Sequence, residues 1–286
     1  CEAVDSIAGR SELLSAAFAL GAFLLFVHAL DHRERRIRIV AVAASCLLYL
    51  GAALSKESGV VLFGVLAAYL LFRIPACERE SRPKRWADAW LLLPFAAVAA
   101  GYLVLRTSAL SAGLIPSQTI LGGQALGTKL ATMGTVQAHY LGLLVLPLDL
   151  QVDLVYMRQI GVQSAFSATA ALGLALVLGS AAALAWMAWR ALKGRLTEPK
   201  TAALALGLSI LLGFLFPVSH IVPFAALMAE RFLFAPSVGF ILLLVAGLAR
   251  YAEHRPQLPW TKLGVGAAAL FVLFGAVRSH ARSAEW

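Results

Sequence analysis

Acids and bases recur in a few short stretches of this chain: Arg10 and Glu12 in "GRSELL", Lys56 and Glu57 in "LSKESG", Arg106 after a long apolar run, and Glu230 with Arg231 in "FAALMAERFLFAPSVGF". Asp153 and Tyr156 lie between apolar runs, with His139 before them and His220 shortly before Glu230. Guanidinium and ammonium groups that share one place bind an anion, and Arg does so bidentately with phosphate. Carboxylates beside them orient sugar hydroxyls, position a divalent metal, or hold the bases in place. The alternative for each pair is snorkelling, in which a charge at a helix end reaches the headgroups and has no other role. There is no Walker loop, no CxxC, no HExxH and no nucleophile elbow.

The elements that carry these residues are apolar. Of the 286 residues 60% are hydrophobic and 14% charged, with a mean hydropathy of +0.82. Runs of membrane-crossing length without strand-like alternation predict an all-α polytopic membrane protein. The spans fall at 13–30, 38–54, 58–72, 89–105, 164–189, 201–217, 232–249 and 263–277. A net charge of +9 does not imply nucleic-acid binding, because the bases sit in clusters between spans rather than on a basic face with interleaved aromatics. Cys1, Cys46 and Cys77 have neither metal-ligand nor disulfide spacing. Gly21, Gly51, Gly64 and Gly173 read as close-packing positions, and Trp186 with Trp189 as an interfacial belt.

Four basic clusters set the orientation: Arg33–Arg38, Arg73–Arg85, Arg190–Lys200 and Arg250–Lys262. They fall on one side of the membrane if the eight runs cross and 126–146 does not. By the positive-inside rule that side is the cytoplasm. Residues 107–163 are then one outer excursion, with 126–146 an interfacial or re-entrant helix. Arg10, Glu12, Lys56, Glu57, Arg106, Asp153, Tyr156, Glu230 and Arg231 all gather at the outer rim. Bases near helix N-termini would add to the field that favours an anion there.

The rim motifs carry a resemblance. "EAVDSIAGRSELLSAAFAL", "ALSKESGVVLFG", "YLGLLVLPLDLQVDLVY" and "VSHIVPFAALMAERFLFAPSVGF" resemble, in the same order, segments of the transmembrane and TPR repeat-containing (TMTC) glycosyltransferases. The tail "RSHARSAEW" is similar to that family's link into its TPR repeats, a link that would start within 279–286. The resemblance implies a GT-C-like bundle of about eight transmembrane helices spanning 1–286. It implies transfer of a sugar, mannose in the human members, from a polyprenyl-phosphate carrier to a hydroxyl of an extracytoplasmic protein or glycan. These rim residues, Arg10, Glu12, Lys56, Glu57, Arg106, Asp153, Tyr156, Glu230 and Arg231, would bind lipid phosphate and sugar. The catalytic Asp would lie upstream of Cys1, and the TPR repeats beyond Trp286, so these 286 residues alone would be inactive. No cofactor is implied with certainty, although carboxylates at the rim leave room for a divalent metal. An Ala-, Leu- and Arg-rich composition points to a bacterial inner membrane, with the active side facing the periplasm. His220 and Leu154 depart from the family, which commonly shows Asn and an aromatic residue there. The competing readings are a transporter or flippase-like protein, and a non-catalytic membrane anchor for TPR repeats.

Overall fold

A computed structural model describes residues 9–32, 34–73, 88–109, 120–147, 160–221 and 226–283. Nine α-helices follow one another there: α1 (Arg10–Asp31), α2 (Arg35–Ser55), α3 (Leu62–Phe72), α4 (Leu93–Ala109), α5 (Leu126–Val145), α6 (Ala168–Leu192), α7 (Pro199–Leu215), α8 (Phe234–Glu253) and α9 (Trp260–Ser283). Short 3₁₀ turns lead into α3 (Glu57–Val61), α4 (Ala89–Leu92) and α8 (Glu230–Leu233). No strand occurs among the described residues.

The eight apolar runs are all helical. Six are long and apolar enough to cross a membrane: Arg10–Asp31, Arg35–Ser55, Ala89–Ala109, Ala168–Leu192, Pro199–Val218 and Glu230–Glu253. Glu57–Phe72 and Lys262–Val277 are apolar but shorter. Helix α5, from the ambiguous segment, is one continuous run of 20 residues and is not among the six. The chain is an all-α polytopic membrane protein. Large aliphatic side chains stand exposed along the spans, among them Leu24, Leu47, Leu178 and Val245. In water such a surface would drive aggregation. In hydrocarbon it costs nothing, because lipid tails are as apolar as leucine.

The ends of the helices follow from local chemistry. Ser167 caps α6 by accepting the Ala170 N–H at 3.1 Å. Gly194, at φ 66°, closes the same helix, its N–H and that of Arg195 bonding back to Ala191 and Arg190. Pro199 then occupies the first turn of α7, where its missing N–H is no loss.

Packing is pairwise, with α1 against α2, α5 against α6, and α7 against α8. The first pair is pinned by the Ser45 hydroxyl donating to the Ala22 carbonyl at 2.6 Å and Ser15 donating to Ala52 at 3.0 Å. Phe26, Tyr49 and Phe95 fill the core between α1, α2 and α4. The other two pairs depend on glycine. A Cβ on Gly134 or Gly173 would strike the facing backbone of α6 or α5, and one on Gly239 would strike that of α7. Gly21 and Gly51 meet only the side chains of Leu48 and Phe18, at 3.0 and 3.1 Å. Gly64 faces open space, so the packing role expected for it is absent.

Ion pairs gather at the end of the bundle that holds the basic clusters. Arg38 pairs with Asp88, and Arg73 reaches Asp31 and Asp88 at 3.5 and 3.6 Å. Arg250 pairs with Glu198 at 2.7 Å, and Lys200 pairs with Glu253 while donating to the Ala249 carbonyl at the end of α8. Trp186 and Trp189 are exposed there, with Arg190 and Arg195 over their rings.

The glycine contacts make a prediction. Gly173→Ala is expected to force α5 and α6 apart and destabilise the protein by about 1–3 kcal/mol or more, as overpacking does. Gly64→Ala is expected to be neutral or stabilising, since it adds helix propensity without a clash. Thermal unfolding of both variants in one detergent measures the contrast.

Candidate functional site

The opposite end of the bundle collects the charged motifs, and its backbone shows how. At the corner between α2 and α3, Lys56 is extended (φ −156°, ψ 141°), and Glu57 begins the 3₁₀ turn. Tyr49 fixes that corner by donating its hydroxyl to the Val60 carbonyl at 3.1 Å. The same arrangement recurs before α8. Ala229 is extended (φ −150°, ψ 141°), Glu230 begins the turn, and the Ala229 N–H donates to the Tyr140 hydroxyl of α5 at 3.2 Å. An extended residue followed by a tight turn breaks the helical path at each corner and sends adjacent side chains to different neighbours.

Three carboxylates, Glu12, Glu57 and Glu230, therefore occupy first turns of their helices, where the positive end of the helix dipole stabilises them. Those N-termini, expected from the sequence to favour an anion alongside the bases, carry carboxylates of the chain itself.

The charged side chains converge. Lys56 of the α2–α3 corner forms an ion pair with Glu12 of α1, the two side chains being only 14% and 8% exposed. Its ammonium also lies 4.5 Å from the centroid of Phe232, and the guanidinium of Arg231 lies 5.1 Å from the same ring. Each distance is within cation–π range. Arg106, at the end of α4, reaches Glu57 at 3.6 Å and the Tyr102 hydroxyl at 3.2 Å. Glu230 is buried. Glu12, Lys56, Phe232 and Arg231 thus form one group and Arg106 with Glu57 a second, joined through the adjacent Lys56 and Glu57 of one corner. Arg10 stands exposed at the start of α1, two residues before Glu12. Asp153 and Tyr156 lie outside the described residues. His139 turns back onto its own helix, at 2.8 Å from the Thr135 carbonyl.

Sequence reasoning missed three members of this region. Phe232 was hidden as one more apolar residue, although its place after an Arg in an interfacial turn was a signal. Tyr140 reads as core until Ala229 is seen to donate to it. Gln137, one turn before Tyr140 on α5, is 4% exposed and its amide has no hydrogen-bond partner among the described residues. Such an atom is rare in a native structure. Among the described residues no group of three His, Cys, Asp or Glu side chains could hold a metal ion.

His220 also has a structural signature. It is buried, its φ is 62°, and it is the one described residue other than glycine in the left-handed region. Its Nε2–H donates to the Leu227 carbonyl at 2.8 Å, tying the end of α7 to the segment that carries Glu230 and Arg231. Burial lowers its pKa below the usual value, although the bond to Leu227 acts in the opposite sense. Asn and His are both enriched at positive φ, so the left-handed backbone accounts for either residue at this position.

Fold and site together define a membrane-embedded α-helical protein with a charged, partly buried cluster at one rim. The chain is 25% identical to Protein O-mannosyl-transferase Tmtc3 of Drosophila melanogaster, over an alignment that takes in all of this chain and 34% of that protein. It therefore spans about a third of the length of that curated relative. No family model matches the chain, and no solved structure matches it.

Two predictions arise from this geometry. Breaking one side of the Glu12–Lys56 pair, as in Lys56→Met, is expected to destabilise the protein by about 3–5 kcal/mol because a buried charge loses its partner. Glu12→Leu combined with Lys56→Met is expected to recover most of that loss. A double-mutant cycle of unfolding midpoints in detergent measures both.

The second concerns acid. The folded state resists protonating His220, whereas the unfolded chain protonates near pH 6.5. Stability should therefore fall as pH drops below about 6.5, down to the lower folded-state value, and be insensitive to this group above it. His220→Asn should remove that part of the pH dependence while keeping the left-handed turn. Unfolding temperatures from pH 7.5 to pH 5 for both proteins test this.

Proposed function

We propose that this chain forms the donor-binding face of a membrane glycosyltransferase, one that moves a sugar from a polyprenyl-phosphate carrier to a hydroxyl of an extracytoplasmic protein or glycan. The observation that carries the reading is the convergence of Lys56 and Arg231 on Phe232, with buried Glu12 and Glu230 beside them. Similarity to an O-mannosyl-transferase along the whole of this chain supports it, and so does the order in which the rim motifs follow one another.

In this reading Arg231 and Lys56 hold the carrier phosphate where headgroups lie, and Glu230 orients the sugar hydroxyls. The acceptor hydroxyl attacks the anomeric carbon and gives its proton to a carboxylate base. The bond from that carbon to the phosphate oxygen breaks, and the phosphate leaves with the electron pair. Cations already aimed at the phosphate stabilise the charge that develops as it leaves. Asp153 and Tyr156 contribute to the sugar side. The Ala-, Leu- and Arg-rich composition supports a bacterial inner membrane, and the basic clusters at the other end support an orientation with this rim facing the periplasm.

A transporter would hold its ionisable groups near the middle of broken helices. Here Asp, Glu, Lys and Arg in the six long spans stand at or near their ends. That distribution favours chemistry at the membrane surface over passage through it.

Arg231→Ala is expected to weaken binding of a polyprenyl phosphate by roughly ten- to hundredfold, the worth of one charge-assisted contact of about 1.5–3 kcal/mol. Arg231→Lys is expected to recover only part, since it keeps the charge and loses the fork. Binding measured in nanodiscs checks both. Equal affinity in wild type and a well-folded Ala variant would make Arg231 a headgroup anchor and sink the proposal for this residue.

A further inference from the structure

Gln137 lies midway along α5 and is 4% exposed, and neither its amide oxygen nor its amide nitrogen has a hydrogen-bond partner among the described residues. The other buried polar side chains of this helix are satisfied. The Thr132 hydroxyl donates to the Thr128 carbonyl at 2.8 Å and accepts the Gln163 N–H at 2.9 Å. Thr135 donates to the Ala131 carbonyl at 2.9 Å, and the Tyr140 hydroxyl accepts the Ala229 N–H at 3.2 Å. Burying an amide with no partner is costly, and an apolar side chain of similar volume would fill the place without that cost.

The position of Gln137 connects it to the charged rim. Residues 137, 140 and 144 share one face of the helix. Tyr140 and Leu144 on that face pack into the core that contains Leu227, Met228 and Phe232, and α5 also packs on the Glu230–Leu233 turn. At 1.5 Å per residue, Gln137 is about 4.5 Å along the axis from Tyr140, whose hydroxyl holds the residue next to Glu230. What it brings there is a neutral amide, with one oxygen that accepts and one NH₂ that donates. A phosphate is served by Lys56 and Arg231, and a lipid chain needs no polar partner. Sugar hydroxyls both donate and accept, and two on neighbouring ring carbons match the two ends of one amide.

We infer that Gln137 is a sugar-recognition residue, its amide accepting from one hydroxyl of the lipid-linked sugar and donating to the hydroxyl beside it. The inference rests on the donor-binding reading above and adds to it a group that distinguishes one sugar from another. Lys56 and Arg231 cannot do so, because the phosphate they hold is common to every such lipid. A site built to hydrogen-bond a hydroxyl rejects the analogue that lacks it, since its own buried polar groups are then left unpaired.

The test compares binding of polyprenyl phosphate, polyprenyl phosphate mannose and the monodeoxy forms of that mannosyl lipid to the protein in nanodiscs. Mannose is the probe because the similar protein is named an O-mannosyl-transferase. Gln137→Leu is expected to weaken the mannosyl lipid about tenfold, the scale of polar groups left without partners. Bare polyprenyl phosphate should bind that variant as it binds wild type. At least one deoxy lipid should bind wild type about tenfold more weakly than its parent, and bind the variant no more weakly than the parent does. Equal weakening of the bare and mannosyl lipids would show a packing role and overturn the assignment. Unchanged mannosyl-lipid binding in the folded variant, the result if a buried water holds the amide, would overturn it too, as would a mannosyl group that adds no affinity. Both of those results leave the phosphate reading standing. If Gln137→Leu does not fold, Gln137→Met, unbranched like glutamine, takes its place, and failure of both to fold would assign the amide to the fold and overturn the inference. Bare polyprenyl phosphate that does not bind wild type would remove the donor-binding reading itself, and the inference with it.

Discussion

A backbone that crosses hydrocarbon has no water to satisfy its N–H and C=O groups, so it stays helical until it reaches an interface. Much of this structure follows from that constraint. Charges and irregular turns are confined to the two ends of the bundle, where water is available. The extended residues Lys56 and Ala229 and the tight turns that follow them are tolerated because they lie at such an end. One consequence is economical: the only places where the chain can aim side chains freely are also the places where a lipid headgroup meets it.

Helix association in the same medium has to come from packing and hydrogen bonds, since burial from lipid offers no hydrophobic gain. The α5–α6 and α7–α8 pairs approach closely enough that glycine is required at Gly134, Gly173 and Gly239. The α1–α2 pair instead uses serine hydroxyls bonded across to backbone carbonyls. These contacts bring the heads of α1, α3 and α8 together, so that Glu12, Lys56 and Phe232, far apart in sequence, share one cluster.

His220 illustrates the local cost of building such a site. A left-handed backbone at a residue other than glycine is unfavourable, and a buried imidazole gives up part of its basicity. In return the end of α7 is bonded to the Leu227 carbonyl, which holds the approach to Glu230 and Arg231. Tyr140 does the same from α5 through the Ala229 N–H. Two hydrogen bonds from separate helices therefore define the turn that carries the proposed phosphate ligand.

Much of the architecture was legible in the residues themselves, for a simple reason. Runs of leucine, alanine and valine long enough to cross a bilayer have one stable conformation there, so eight helical segments and the location of charge at their ends could be read directly. Pairing could not. That Lys56 would meet Glu12 rather than its neighbour Glu57, and that Arg106 would take Glu57, depends on which helices lie side by side. No periodicity encodes that. Gly64 and Gly173 look alike in sequence, and only Gly173 meets a facing backbone. Phe232 and Tyr140 read as core positions within their motifs, and the cations and the Ala229 N–H that the fold brings to them give them a further role. Hydropathy, a property of each segment alone, was written in the sequence. The charged cluster arises from relations between segments, and only the tertiary structure could decide it.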